Sequence, residues 1–344
     1  MSEVGHTEPS PFVVVEHGDP HATRRRELLR RHPEVRALMG YDRRTALVIV
    51  AVVALELGLA WWIGRTKLWG GAFTFVALAY FLGAVMNHWL AMGIHECSHN
   101  LAARSSCSNR WLAILANVPG VVPSAMPFFR HHQRHHTYLG IEGTDNDLPS
   151  RGEIRIFGSA RLAKLAWLFA LPLVAPWARG FMRKPDRWER INIAVMVAVD
   201  IAIVALFGYK ALFYLLLSTF FGTGLHPVAA HWVHEHYLFE RRQETYSYYG
   251  VLNWVTFNVG YHVEHHDLYN IPGWRLPALR ALAPEMYEGL RSHRSWTLIL
   301  ARFVLDPALT HRSRIARTLA TFDRAKLSRA ASAGTQRTSA SAPS

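Results

Sequence analysis

Cysteine is nearly absent from this chain, with Cys97 and Cys107 alone among 344 residues. So few exclude a disulfide framework, and they point to a reducing environment on the polar side. Acidic residues are also scarce, 25 against 38 lysines and arginines, which leaves a formal net charge of +13. The first twenty residues hold acids, prolines and histidines but no apolar core, so no signal peptide is expected there. Half the chain is hydrophobic, and the apolar residues gather in long runs with basic flanks. That pattern fits a membrane protein and makes a nucleic-acid binder with a basic face improbable.

Crossing the hydrocarbon core takes about 20 apolar residues. Ala46 to Gly64 is a first spanning candidate, and Trp61 and Trp62 mark its interface. Glu56 lies inside it; a lone carboxylate there costs roughly 2.5–3.5 kcal/mol on insertion scales, so it is expected to face protein or be protonated. The turn Arg65-Thr66-Lys67 is short, and Leu68 to about Ile94 returns. Ile191 to Phe207 and Ala211 to about Ala230 form a second hairpin around Gly208-Tyr209-Lys210, with Asp200 its polar exception. Trp111 to Met126, broken by Pro119, Gly120 and Pro123, reads as interfacial or re-entrant, and Leu162 to Trp177, with Pro172 and Pro176, as another interfacial helix. After His231 no apolar run is long enough to span.

The expected architecture is an all-α membrane protein with four transmembrane helices in two hairpins, interfacial helices and a cytoplasmic helical cap. Residues 1–20 read as unstructured. Residues 21–44 form a basic N-terminal segment whose His21 to Met39 stretch is an amphipathic helix. On the sequence alone that helix either lies on anionic head groups or is a solvated charged face. A membrane domain covers 45–325, and 326–344 read as a disordered tail. The two short turns carry Arg65, Lys67 and Lys210, whereas nearly all other basic residues fall in the N-terminal segment, the middle loop and the C-terminal third. By the positive-inside rule those three regions are cytoplasmic.

Three histidine clusters lie in these regions. His95-Glu96-Cys97-Ser98-His99 ends the second span, Arg130-His131-His132-Gln133-Arg134-His135-His136 lies mid-chain, and His262-Val263-Glu264-His265-His266 comes late. On a helix His95 and His99 share a face, about 6 Å apart along the axis. His132, His135 and His136 share the i, i+3, i+4 pattern with His262, His265 and His266. His131 falls off that face and is expected to bind no metal. Eight imidazoles exceed the four ligands of a closed zinc site and suit two ions. Neutral imidazoles with few carboxylates point to iron or copper and oxygen chemistry rather than magnesium or calcium. Two other readings stay open. His95-Glu96-x-x-His99 satisfies the zinc-protease signature, which would make an intramembrane metalloprotease, but it leaves the other clusters unused. A histidine-rich metal-buffering surface is the second, and the repeated spacing argues against it.

The order H-x-x-x-H, H-x-x-H-H, H-x-x-H-H with two membrane hairpins resembles the membrane fatty-acid desaturase and hydroxylase superfamily. Closer motifs resemble the sphingolipid Δ4-desaturases: Pro20-His21-Ala22 with Arg24-Arg25-Arg26-Glu27, Tyr138-Leu139-Gly140, Gly224-Leu225-His226-Pro227, Glu235-His236-Tyr237, Glu244 to Gly250, Phe257 to His262 and Asn270-Ile271-Pro272-Gly273. The similarity runs from about residue 19 to about residue 320. It implies a di-iron centre that uses O2 to place a trans double bond at C4–C5 of the sphinganine base of a dihydroceramide-like lipid. C4 hydroxylation, or another desaturase regiochemistry, is the alternative outcome at such a site. Electrons would come from a separate carrier such as cytochrome b5 or ferredoxin with its reductase, because Val228-Ala229, not two glycines, follows His226-Pro227. The implied location is the bacterial inner membrane or the endoplasmic reticulum, with the site on the cytoplasmic side.

The superfamily also implies a ninth histidine from the end of the fourth span. Among His226, His231, His234 and His236, His231 is the expected one. The implied metal set is therefore His95, His99, His132, His135, His136, His231, His262, His265 and His266. His88, about 10 Å deeper on the His95 face, is expected to be a buried polar contact. Ligating histidines usually donate their second N–H to a carboxylate or carbonyl, and Asp267, Glu264, Glu235, Asp145 and Asp147 are candidates. Asp267 is the one expected behind the metal, and Asn258 is placed to hold a metal-bound water.

Overall fold

The computed structural model describes residues 9–179 and 184–322. Among them, four helices are long and apolar enough to cross a membrane: Pro33–Arg65, Gly71–Ser98, Arg187–Phe207 and Tyr209–His234. The regular part of the first, Arg43–Arg65, starts on Asp42, whose carboxylate accepts from the Arg44 amide at 3.0 Å. It buries Thr45, Ile49, Val52, Glu56, Ala60 and Ile63, a stripe at three- and four-residue spacing. Leu47, Leu55, Trp61 and Trp62 are exposed on the other sides, as a lipid-facing surface requires. Glu56 faces protein: Asn87 Nδ2 and the Tyr214 hydroxyl each donate to it at 3.4 Å.

The second and fourth spans approach backbone to backbone where their residues are small. A side chain at Gly222 would meet the Ala84 carbonyl, and one at Gly83 would meet Ser218 and Tyr214. The second span widens into a π-type turn over Ala79–Gly83, at this same approach. The two short turns lock the hairpins at their far ends: Arg65 donates to the Leu206 carbonyl and Lys210 Nζ to that of Thr66, each at 2.7 Å.

Ser106–Gly120 and Ala125–Thr137 meet at a bend of 117°. Asn117 holds the bend, accepting from the amides of Ser124 and Ala125 and donating to the Val122 carbonyl. Arg161–Ala178 keeps Pro172 and Pro176 within one helix. Buried Lys164 joins it to Trp296–Leu305 by donating to the carbonyls of Phe303, Asp306 and Leu309 at 2.6, 2.8 and 2.9 Å, where that helix runs out of internal donors.

The N-terminal part departs from its expected form. Residues 1–20 are not unstructured where they are described: Val13–Val14 pairs in parallel with Ile315–Ala316. The basic helix starts at Pro20, with Asp19 as its cap, and ends at Arg31; Pro33–Leu38 follows as a 3₁₀ turn. Its apolar side lies neither on lipid nor in water. Leu28 and Val35 pack with Val263, Leu268, Ile271 and Leu276, around the third histidine cluster. The expected tail at 326–344 lies outside the described residues.

Candidate metal centre

Each histidine cluster is presented by a different kind of support. His95 stands in the last turn of Gly71–Ser98, and His99 caps that helix. His132, His135 and His136 occupy the end of Ala125–Thr137. His262, His265 and His266 stand on the six-residue helix His262–Asp267, every residue of which is buried. So short a helix has little stability of its own. Ser247 Oγ accepts from the Val263 amide at 3.0 Å, and Glu264 accepts from Ser247 and from the Tyr249 hydroxyl at 2.6 Å each. Glu264 thus fixes the helix and belongs to neither histidine group.

The imidazoles converge in two groups among the described residues. His95, His99, His132, His136 and His265 form one, and His135, His236, His262 and His266 form the other; within each group the ligand atoms lie within 4.8 Å of one another. In the first group Nε2 of His132 lies 2.8 Å from that of His99 and 3.0 Å from that of His136, which lies 3.1 Å from that of His265. In the second, Nε2 of His236 lies 3.1 Å from that of His135 and 2.9 Å from that of His262. Two imidazole nitrogens each about 2.0–2.1 Å from one ion, at right angles, stand roughly 3 Å apart. The spacing therefore fits one ion per group. The rings of His136 and His266, 4.3 Å apart, join the groups.

Burial, reinforced by neighbouring imidazoles, holds His132, His136, His236, His262, His265 and His266 well below the ordinary imidazole range. Neutral rings are the form that binds a metal. Burial would depress His135 as well, but the Asp145 carboxylate, joined by Asp147, raises this imidazole. Nine imidazoles without a carboxylate or thiolate make a donor set for two transition-metal ions. Cys97, buried in the core, belongs to neither group.

Eight of the nine expected histidines lie in these groups; His236, not His231, completes the second. His231 turns back toward the spans. Its ring lies 4.0 Å from Trp232 and 4.6 Å from His88, and its Nδ1 is 3.4 Å from the Val228 carbonyl. Past Thr223 the fourth span continues through the 3₁₀ turn Pro227–Ala230 and the single turn His231–His234, and His236, beyond its end, joins the histidines. The signal for His236 was its place in Glu235-His236-Tyr237. His88 is a buried contact, its Nδ1 2.6 Å from the Gly222 carbonyl. His131 lies against Asn146 and Arg130 and in neither group.

Two further placements are corrected. Asn258 Nδ2 donates to the Gly273 carbonyl at 3.0 Å, so this side chain secures a turn rather than a metal-bound water. Asp267 does not touch the grouped histidines directly. It lies 2.7 Å from His21 Nδ1 and accepts from Arg24 at 2.9 Å. His21 carries the contact onward: its ring is 4.9 Å from that of His266, and its Nε2 lies 2.9 Å from Thr245 Oγ1, itself 3.4 Å from His236 Nδ1. Direct support comes from Asp145, 2.9 Å from His135 Nδ1; Glu235 lies 3.2 Å from His262 Nδ1, which makes no hydrogen bond. Asp147 instead pairs with Arg314 at 2.5 Å. Glu96, the general base of the protease reading, is committed elsewhere, accepting from the Gly273 amide at 3.0 Å.

The histidines open onto a cavity of about 580 Å³. His95, His132, His135 and His262 line it on one side, and Phe128, Trp167, Leu171 and Phe220 are among its apolar walls. Its mostly apolar lining, reaching Phe213 and Leu216 of the fourth span, suits a lipid chain.

Known proteins are similar to this chain over most of its length. The family described as fatty acid desaturase matches residues 71–297, and the one described as sphingolipid Delta4-desaturase matches residues 10–44. A rice protein (Oryza sativa subsp. japonica) named sphingolipid delta(4)-desaturase DES1-like is 43% identical over 301 residues, 87% of this chain and 90% of its own. The human sphingolipid delta(4)-desaturase/C4-monooxygenase DES2 is 43% identical over 313 residues, 90% of this chain and 95% of its own. The Drosophila melanogaster sphingolipid delta(4)-desaturase DES1 is 39% identical over 303 residues, 87% of this chain and 93% of its own.

Proposed function

The chain belongs to the fatty acid desaturase family, and we propose that it is a membrane-bound sphingolipid Δ4-desaturase acting on the sphinganine base of dihydroceramide-like lipids. The observation that carries the reading is the meeting of two histidine groups with one end of an apolar cavity. Two iron ions held by His95, His99, His132, His136 and His265 and by His135, His236, His262 and His266 would supply O2 activation and hydrogen abstraction from two adjacent unactivated carbons. Overall, one O2, two electrons and two protons remove two hydrogens from the lipid and yield two waters. The electrons come from a separate carrier, such as cytochrome b5 or ferredoxin with its reductase. Asp145 fixes the ring of His135, and the apolar walls hold the chain and keep bulk water away. The histidines face the cytoplasmic side of the bacterial inner membrane or the endoplasmic reticulum, where the basic segments collect.

Hydroxylation at C4 is the second reading, because the human relative's name carries both activities. Lipid mass spectrometry after expression in a host supplied with dihydroceramide separates the two. Loss of two hydrogens at C4–C5 is expected; gain of one oxygen would replace the desaturase reading with the hydroxylase one, and unchanged lipid would contradict both.

His21 ties the N-terminal segment to both His236 and His266. His21→Ala is expected to speed iron loss to a chelator roughly tenfold or more, the scale on which supports behind metal ligands act. His21→Asn is expected to recover part of this through a retained polar contact to Asp267. Iron content followed over time checks it; identical loss rates for all three proteins would contradict the role.

A further inference from the structure

The cavity is not apolar throughout. Asn146, Asp147, Arg179, Glu235, Tyr237 and Arg314 also line it. A plain acyl chain has no use for such groups, and burying them costs stability unless they are paired. Most are. Arg314 Nη2 donates to Asp147 Oδ2 at 2.5 Å, and Arg314 and Arg179 both donate to the Asp147 carbonyl, at 3.2 and 3.3 Å. Tyr237 is the exception. It is 1% exposed, its ring is held between Phe303, 5.1 Å away by ring centroids, and the Arg314 guanidinium, 5.1 Å over its face, yet its hydroxyl has no hydrogen-bond partner. A buried hydroxyl left unpaired beside a cavity is a position for a ligand's polar group.

This polar end adjoins the four-histidine group. Tyr237 follows His236 in the chain, and Glu235 approaches His262. The Asp147 amide donates to Asp145 Oδ1, the oxygen 2.9 Å from His135 Nδ1. We propose that this end of the cavity binds the hydroxyl- and amide-bearing head of the sphingoid substrate, with the Tyr237 hydroxyl bonded to one of its hydroxyl groups and Asp147 and Arg314 framing the rest. The inference rests on the Δ4 reading and gives it a physical basis. C4 is one bond from the hydroxyl-bearing C3, so a head anchored here brings C4–C5 to the histidines while the hydrocarbon runs along the apolar walls. An anchor for a double bond farther down a chain would have to lie farther from the metals. Tyr237 is thus a specificity-determining residue, and it holds no metal.

The test is Tyr237→Phe in the full-length, iron-loaded protein, which removes only the unpaired hydroxyl and leaves the ring packing. Turnover is measured with N-acyl sphinganine and with its 1-deoxy and 3-deoxy analogues. The expected result is a KM for the complete head raised roughly tenfold, as for one lost hydrogen bond, with iron content unchanged. The analogue lacking the bonded hydroxyl should be poor for the wild type and no poorer for the variant; which analogue behaves so identifies the hydroxyl. An unchanged KM, an equal loss on all three substrates or a fall in iron content would overturn the proposal. If the wild type converts N-acyl sphinganine at C4–C5 and Tyr237→Phe does so equally well, this subsite alone fails. If the wild type converts none of the three, the Δ4 reading fails with it.

Discussion

His236→Ala is expected to abolish turnover and to leave the purified chain with fewer than two irons. Its Nε2 stands 3.1 Å from that of His135 and 2.9 Å from that of His262, so its loss opens the four-histidine group to three. Even groups that only orient a ligand cost about 10–100-fold in metal affinity when removed, so losing the ligand itself should cost at least about 100-fold. His231→Ala is the paired control. That ring packs against His88 and Trp232 and lies outside both groups. The variant should keep two irons, and because His231 lines the cavity, any loss should fall on KM. Iron per chain and single-turnover product separate the two variants. Retained iron in His236→Ala with depleted iron in His231→Ala would return the ninth position to His231.

Removing Asp145 should have the next largest effect. One carboxylate does three things: Oδ1 lies 2.9 Å from His135 Nδ1 and accepts the Asp147 amide at 2.9 Å, and Oδ2 accepts the Gly140 amide at 2.8 Å. It sets the His135 ring so that Nε2 faces the second group, and it ties the loop after Ala125–Thr137 beneath it. Asp145→Ala removes all three contacts and is expected to lower iron affinity and turnover about 10–100-fold. Asp145→Asn keeps an acceptor oxygen for His135 but not the charge, and should lie between the wild type and the alanine variant. Chelator competition and turnover measured on the same preparations check the ranking. An alanine variant that holds iron as tightly as the wild type would show that His135 needs no such support.

The histidine clusters were legible because helical spacing is a strong local rule, but their division between two groups was not read from it. Neighbouring positions on a helix differ by about 100°. His132 and His136, four apart, therefore look the same way, while His135 looks another way; the first two join His95 and His99, and the third joins His262 and His266. The same rule sends His265 away from His262 and His266. His231 and His236 both follow the fourth span closely, and linear position cannot tell them apart when the chain turns sharply between them. For the N-terminal helix, periodicity marks an apolar face but not what covers it. Leu28 and Val35 meet Ile271 and Leu276, contacts more than 200 residues apart in sequence that no local pattern encodes. Asp267 and Asn258 were placed by proximity along the chain, which says nothing about where a side chain points; Arg24 with His21 claims one, and Gly273 the other. The spans were legible from length and composition, and the short turns from Arg65-Thr66-Lys67 and Gly208-Tyr209-Lys210.

The two histidine groups are expected to hold a pair of irons. Elemental analysis of the purified full-length chain tests it most directly. Two irons per chain, without stoichiometric zinc, is the predicted result; a single zinc per chain would contradict it.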